Sequence, residues 1–267
     1  MTTEGCVDIG RLGADELALD KRRSSFILKN KFRTLAGDKR LGLLWIALEP
    51  LIFSLVYLFV LTVLRSSLRA ESIFIGITLW TLVTVSVMSG LACIADFTGG
   101  LKCERVRTWV LVKPMIQYRI IDGVARTSGV AALLLIHFGI SLLGVSSFIL
   151  IAVVLGFLSE GVALNMSRLA HVIPDLNIVM RYFLRFMFFA GPILYPLTFS
   201  TGLHHQLNLY NPFTYFVELS RELSGLENGL SNLNPETVVV VTALICALTI
   251  RGYSKIDKLR WELSSWS

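Results

Sequence analysis

Charged residues are scarce in this chain of 267 residues. Asp, Glu, Lys and Arg make up 16%, where a soluble domain carries about a quarter. Catalytic signatures are missing too. There is no G-x-x-x-x-G-K-S/T phosphate loop, which excludes ATP binding in that mode. Neither H-E-x-x-H nor a G-x-S-x-G elbow occurs. Cys6, Cys93, Cys103 and Cys246 form no C-x-x-C pair, so no disulfide or metal framework is implied. The histidines are scattered, and the adjacent pair His204-His205 falls short of the three or four ligands of a zinc site. The N-terminal stretch is polar and charged through Arg40, which argues against a cleaved signal peptide.

Long apolar runs are what the chain has instead. Hydrophobic residues make up 54% and the mean hydropathy is +0.66. Six runs stand out: Leu41–Leu64, Ile73–Ala95, Gly123–Leu143, Ser146–Leu164, Ile178–Phe199 and Pro235–Ile250. About 20 residues at 1.5 Å each cover a ~30 Å hydrocarbon core. The expected fold is therefore all-α, a polytopic membrane protein with six transmembrane helices. The cations fall unevenly about these runs. Of 25 Lys and Arg, 22 lie on one side, and only Arg65, Arg69 and Arg221 on the other. Basic loops stay in the cytoplasm, so both termini are expected inside a cytoplasmic membrane. The net charge of +6 sits in short loops facing one leaflet. Anionic lipid or a cytoplasmic partner suits that better than nucleic acid. One domain, 21–253, is expected between a tail at 1–20, which could be disordered, and a cytoplasmic tail at 254–267 whose Trp261 and Trp266 have no assigned role.

Three further segments have a character of their own. In 21–36, Leu28, Phe32, Leu35 and Ala36 share one helical face while Lys29, Lys31 and Arg33 lie elsewhere. This predicts a basic amphipathic helix lying in the inner-leaflet interface, or else a soluble helix packed on a partner. The connection 96–122 is long and basic. Gly99-Gly100 can break the preceding helix. A short helix from Leu101 to Val112 then exposes Glu104, Arg105 and Arg107, and Pro114 ends it. In the outer segment 200–234, Asn211-Pro212 starts a helix. That helix is too polar on one face to span and too apolar on the other for water, which predicts a re-entrant or interfacial helix.

A basic interface helix, six spans, a cytoplasmic helix between spans two and three, and a fifth span broken by Pro192 and Pro196 follow in that order. Then comes Asn-Pro-hydrophobic-x-x-hydrophobic-hydrophobic-Glu-x-x-Arg at Asn211 to Arg221. From about Lys21 to Arg251 the chain resembles the permease subunit of type-2 ABC exporters, the group that exports O-antigen, capsular polysaccharide and teichoic acid chains. The resemblance implies a homodimer with a channel between its subunits. It implies docking of a separate ABC ATPase through Phe32 and Arg33 of the interface helix and through Leu101, Lys102, Glu104, Arg105 and Arg107. ATP and Mg would be held by that partner, and this chain would carry no cofactor and be no enzyme. An outer gate would run from Pro192 to Arg221, including Tyr195, Asn211, Pro212, Phe213, Tyr215, Glu218 and Arg221. The substrate would be a lipid-linked polysaccharide or glycolipid, guided by aromatic residues of which Trp80 is one candidate.

A charge near a helix centre costs roughly 2.5–3.5 kcal/mol, which singles out four of the charges within the runs. Glu49, Glu160, Arg181 and Arg185 are expected at similar depth near the cytoplasmic mouth, paired between helices where a phosphorylated lipid carrier could be sensed. Snorkelling with structural pairing is the alternative. Other readings of the whole chain are an exporter of drugs or other lipids on the same plan, an ion-coupled carrier without an ATPase, and an intramembrane enzyme. No convincing internal repeat favours the carrier, and no polar catalytic cluster favours the enzyme.

Overall fold

The computed structural model describes residues 14–37, 40–63, 69–96 and 107–256, and among them every regular element is helical. Leu101, Lys102, Glu104 and Arg105 lie outside the described residues, as do Gly99-Gly100, Arg65 and the C-terminal tryptophans. Ten α-helices occur among the described residues. The first four are α1 (Ala14–Ala36), α2 (Leu44–Val63), α3 (Ala70–Asp96) and α4 (Thr108–Ile136). Next come α5 (Leu142–Leu164), α6 (Ser167–Val172) and α7 (Asp175–Ala190). The last three are α8 (Gly202–Leu209), α9 (Pro212–Leu223) and α10 (Pro235–Ser254).

Four of them, α2, α3, α5 and α10, are long and apolar enough to cross a membrane. Their length and composition point to a membrane protein. The other two expected spans differ in kind. Helix α4 has 29 residues, about 43 Å at the usual rise, but it carries Lys113, Arg119, Asp122 and Arg126. Helix α7 has 16 residues and stops short of Pro192. A proline drives the residue before it out of helical conformation, and Gly191 is indeed extended at φ −88, ψ 161.

Two expected boundaries need correction. Pro114 does not end a short helix; it lies inside α4, buried. An interior proline costs about 3 kcal/mol. The packing of α4 against α1, α2, α3 and α5 offsets it. The turn between the third and fourth runs falls at 137–141, not at 144–145. There Gly139 takes φ +65, a left-handed conformation that glycine adopts freely. The Ser141 hydroxyl then caps α5 by accepting from the Gly144 N–H at 3.1 Å.

Helix α3 is the centre of the bundle. It packs on α2, α4, α5, α6, α7 and α9. Ile73, Phe74, Ile75, Ile77, Leu79 and Leu82 are all essentially inaccessible, and a helix apolar all round belongs in a core. In the apolar windows of α2 and α10 only 17% of residues are buried, against 61% in α3. Those two helices therefore present apolar surface outward.

Side-chain contacts sort the helix ends into two poles. At one, Phe74 of α3 meets Phe138 after α4, the start of α5 meets the end of α9 at Leu223 and Ser224, and Val238 of α10 packs near Tyr215. At the other, α1 packs on α4, Gly90 of α3 meets Ala163 of α5, and Tyr253 of α10 stacks on Phe157 of α5. Most of the described Lys and Arg belong to this second pole, including those of α1, Arg107, Arg168, Arg251 and Lys255.

At the second pole, α5 and α10 approach through glycine. A Cβ on Gly252 would overlap the Gly161 carbonyl oxygen, and one on Gly161 would overlap Thr249. Small residues allow this closeness between membrane helices. Gly252→Ala must push backbone from backbone and is expected to destabilise the protein by about 1–3 kcal/mol. Thermal unfolding of the purified protein in detergent reads this, and an unchanged midpoint would contradict the packing.

Candidate functional site

A chain of polar side chains threads the bundle at the second pole. On α4, Arg119, Asp122 and Arg126 fall at i, i+3 and i+7 and so share a face. The Arg119 guanidinium forks onto Glu160 of α5, Nε donating to Oε2 at 3.1 Å and Nη2 to Oε1 at 2.8 Å. Its Nη1 donates to Asp122 at 3.2 Å. Asp122 also accepts from Arg126 Nε at 3.0 Å, and Arg126 Nη1 reaches Glu49 of α2 at 2.9 Å. Arg119, Asp122 and Glu160 are completely buried, whereas Glu49 is exposed. Glu160 further accepts from Tyr253 of α10 at 3.0 Å and Ser89 of α3 at 3.1 Å. Lys31 of α1 donates to Ser89 at 3.5 Å and stands over the Tyr118 ring. Six helices thus contribute to one network. Bidentate arginine–carboxylate bonds are the strong ones, and a buried charge is tolerated only when paired this way.

This corrects the expected pairing. Glu160 and Glu49 find Arg119 and Arg126, not Arg181 and Arg185. The cause is the continuation of α4 through Pro114, which brings residues expected in a loop into the bundle. Arg119, Asp122, Arg126, Ser89, Tyr253 and Lys31 were not among the candidate residues. The i, i+3, i+7 spacing on α4 is the signal that could have found three of them.

Helix α1 is also not simply apolar face down. Its buried positions are Asp20 and Ser24, with Ile27 packed beside the cluster of Leu111 and Met115. Phe32 lies against the Tyr118 ring at 5.2 Å, while Arg33 is exposed. Arg107 ties the start of α4 to α1, donating to Asp20 at 2.6 Å and Glu16 at 3.1 Å. Two of the expected docking residues, Phe32 and Arg107, thereby belong to one α1–α4 unit.

Beside the network, α2, α3 and α7 enclose a groove of about 910 Å³. Glu49, Trp80, Arg181 and Arg185 all line it. Sequence reasoning missed Trp45, Tyr57, Thr81 and Thr84, which line it too. Phe53, Tyr57, Phe188 and Phe189 form an aromatic wall with ring centroids 5.0–6.0 Å apart. Arg181 Nε donates only to the Asn177 carbonyl at 3.3 Å, and the Arg185 guanidinium lies near the Tyr182 ring. Both are exposed, and neither joins an ion pair among the described residues. The groove therefore offers two guanidiniums to an anionic group and flat aromatic faces to whatever follows it.

The segment 191–229 is knit by one ion pair. After α7 the chain turns through 191–201 and enters α8. Asn211 then caps α9 by accepting from the Phe213 N–H at 3.1 Å, with Pro212 in the first turn. From α9, Arg221 donates to the carbonyls of Pro192, Ile193 and Tyr195 at 2.9–3.2 Å. It also pairs with Glu218 at 2.7 Å. Glu218 in turn accepts from the N–H groups of Leu197 and Gly229. Both side chains are fully buried. Tyr195 bonds His204 at 3.0 Å, and the Tyr215 hydroxyl donates to the Leu209 carbonyl at 2.7 Å. Phe213 meets Trp80 edge to face at 4.8 Å, so α9 touches the central helix where the groove passes.

No protein-family model matches the chain, and neither does any curated protein.

Proposed function

We propose that the chain is the channel-forming permease subunit of an ATP-driven exporter, and that its substrate is a lipid-linked polysaccharide or glycolipid. In this reading α2, α3, α4, α5, α7 and α10 cross a cytoplasmic membrane, α8 and α9 form a re-entrant outer gate, and both termini are cytoplasmic. Two copies pair, and each docks a separate ATPase through the α1–α4 unit and the connection 97–106. The ATPase supplies ATP and Mg chemistry.

The groove between α2, α3 and α7 carries the reading. Glu49, Trp80, Arg181 and Arg185, singled out separately in sequence, line the same space. Its cations suit a phosphate or pyrophosphate linker, and its aromatic wall suits sugar rings. Phe53 and Phe189 in its lining are exposed, as is Phe59 further along α2, so a second copy facing this side would close it into a channel. The buried carboxylates Asp122 and Glu160 are already held by arginines, an arrangement that disfavours an ion-coupled carrier, whose carboxylate must be free to change partners.

Two measurements test this. Co-purification with an ATPase whose turnover rises on assembly would support the partner. Arg181→Ala with Arg185→Ala is expected to lower export about tenfold or more, because charge-assisted contacts are lost at roughly 1.5–3 kcal/mol each. Assembly with the ATPase should be unchanged in that variant. Export that stays at the parent level would sink the groove as the path.

A further inference from the structure

Trp80 stands between two spaces. On one side is the charged groove. On the other, α3, α5 and α7, with Ile245 of α10, surround a slot of about 560 Å³ that is closed at one end by α8 and α9. Its walls are hydrocarbon and thioether over almost their whole extent, with Val83, Leu155, Leu158, Val162, Met180 and Met187 among them. It reaches from Leu91 and Met166 at one pole to Leu207 and Tyr210 at the other. Phe186, on its rim, is 65% exposed, which puts a mouth on the lipid side of the bundle.

The polar groups at its outer end need nothing from a ligand. The Asn208 amide donates to the Ala190 carbonyl at 2.8 Å and the His204 carbonyl at 3.0 Å. Its Oδ1 accepts from Asn211, whose own Oδ1 accepts from the Phe213 N–H. An occupant would therefore meet apolar contacts and little else. Water does not settle in an apolar cavity, and an unfilled one forfeits dispersion contacts along its whole lining. Of the helices that line it, α3, α5 and α10 are able to span a bilayer, so the material at hand is hydrocarbon. Methionines adapt to a flexible chain without a fixed shape.

We infer that this slot is a binding site for the acyl chain of a bilayer phospholipid, seated between α7 and α10 on the side of α3 away from the groove. The inference rests only on the helices lying in a membrane and stands apart from the transport reading. The occupant is a structural lipid, separate from any transported one.

Trp80 reports on the slot directly. The full chain, with Trp45, Trp109, Trp261 and Trp266 changed to Phe, is reconstituted into vesicles of phosphatidylcholine brominated at mid-chain. No carrier lipid is then present, so a tail that quenches Trp80 belongs to the bilayer. Ser159→Phe and Val162→Phe fill the slot from α5 at half-buried positions. Thr84→Phe fills the groove instead. Trp80 should be quenched in the parent, lose much of that quenching in both slot variants, and keep it in Thr84→Phe. Equal quenching in all variants overturns the proposal, as does loss in Thr84→Phe alone. If a slot variant keeps its quenching but loses subunit crosslinking, the occupant is a second copy and the proposal fails. Near-UV circular dichroism of each variant separates a filled slot from a misfolded chain.

Discussion

Arg119→Met lowers stability by about 3–5 kcal/mol, because it strands a buried carboxylate without its counter-charge. Glu160 would keep single hydrogen bonds from Tyr253 and Ser89 but lose the fork that neutralises it. Asp122 survives the change, since Arg126 still holds it. That asymmetry makes a clean test. The double variant Arg119→Met, Glu160→Met should recover most of the loss, since an apolar pair of similar volume in place of a buried ion pair is often neutral or better. The single Glu160→Met should cost less than Arg119→Met, since Arg119 keeps its pair with Asp122. Unfolding of purified protein in detergent would give the cycle, with the double variant losing far less than the two single losses summed. Losses that simply add would mean that the two side chains do not act as a pair. The double variant also separates two roles. If it folds and still supports export, the network is a brace alone.

Much of the fold was legible because hydropathy is a local property. The runs at 41–64, 73–95, 146–164 and 235–250 correspond to α2, α3, α5 and α10, within a few residues at most ends. Helix α4 was harder. Its charges interrupt the apolar pattern, and what neutralises Arg119 lies 41 residues along the chain, on α5. Composition within one window cannot show a partner that distant. Pro114 added to the error, because a proline that ends helices on average is carried here by the packing of α4 on α1, α2, α3 and α5. Of the site, the groove residues were legible as aromatic and basic residues in apolar runs. Their convergence was not, because it depends on how α2, α3 and α7 pack. The near-miss at Arg181 and Arg185 has the same origin. Depth alone suggested that they meet Glu49 and Glu160, and depth says nothing about which way a helix faces.

The segment 191–229 makes the opposite case, since a short stretch of sequence specifies it and one side chain holds it. Arg221→Ala is expected to be among the most damaging single changes in the protein. It removes the counter-charge of a fully buried Glu218, at about 3–5 kcal/mol, and takes the donor from three carbonyls of the α7–α8 break, where each unsatisfied group adds roughly 1–3 kcal/mol. The sum approaches the whole stability of an ordinary domain, so the expected result is loss of folded protein, read as degradation or aggregation on extraction. Arg221→Lys separates charge from geometry. Lysine keeps the positive charge beside Glu218, but an ammonium on a flexible stem cannot reproduce a planar fork reaching the Pro192, Ile193 and Tyr195 carbonyls together. It should yield a folded protein in which 191–201 loosens, read as faster hydrogen exchange there with α5 and α10 unaffected. Gly76→Ala attacks the same contact from α3, because a Cβ there would overlap the Ile193 carbonyl. It should loosen the same residues while leaving the Glu218–Arg221 pair in place. Equal exchange in the parent and both milder variants would mean that the proline break is held by something other than Arg221.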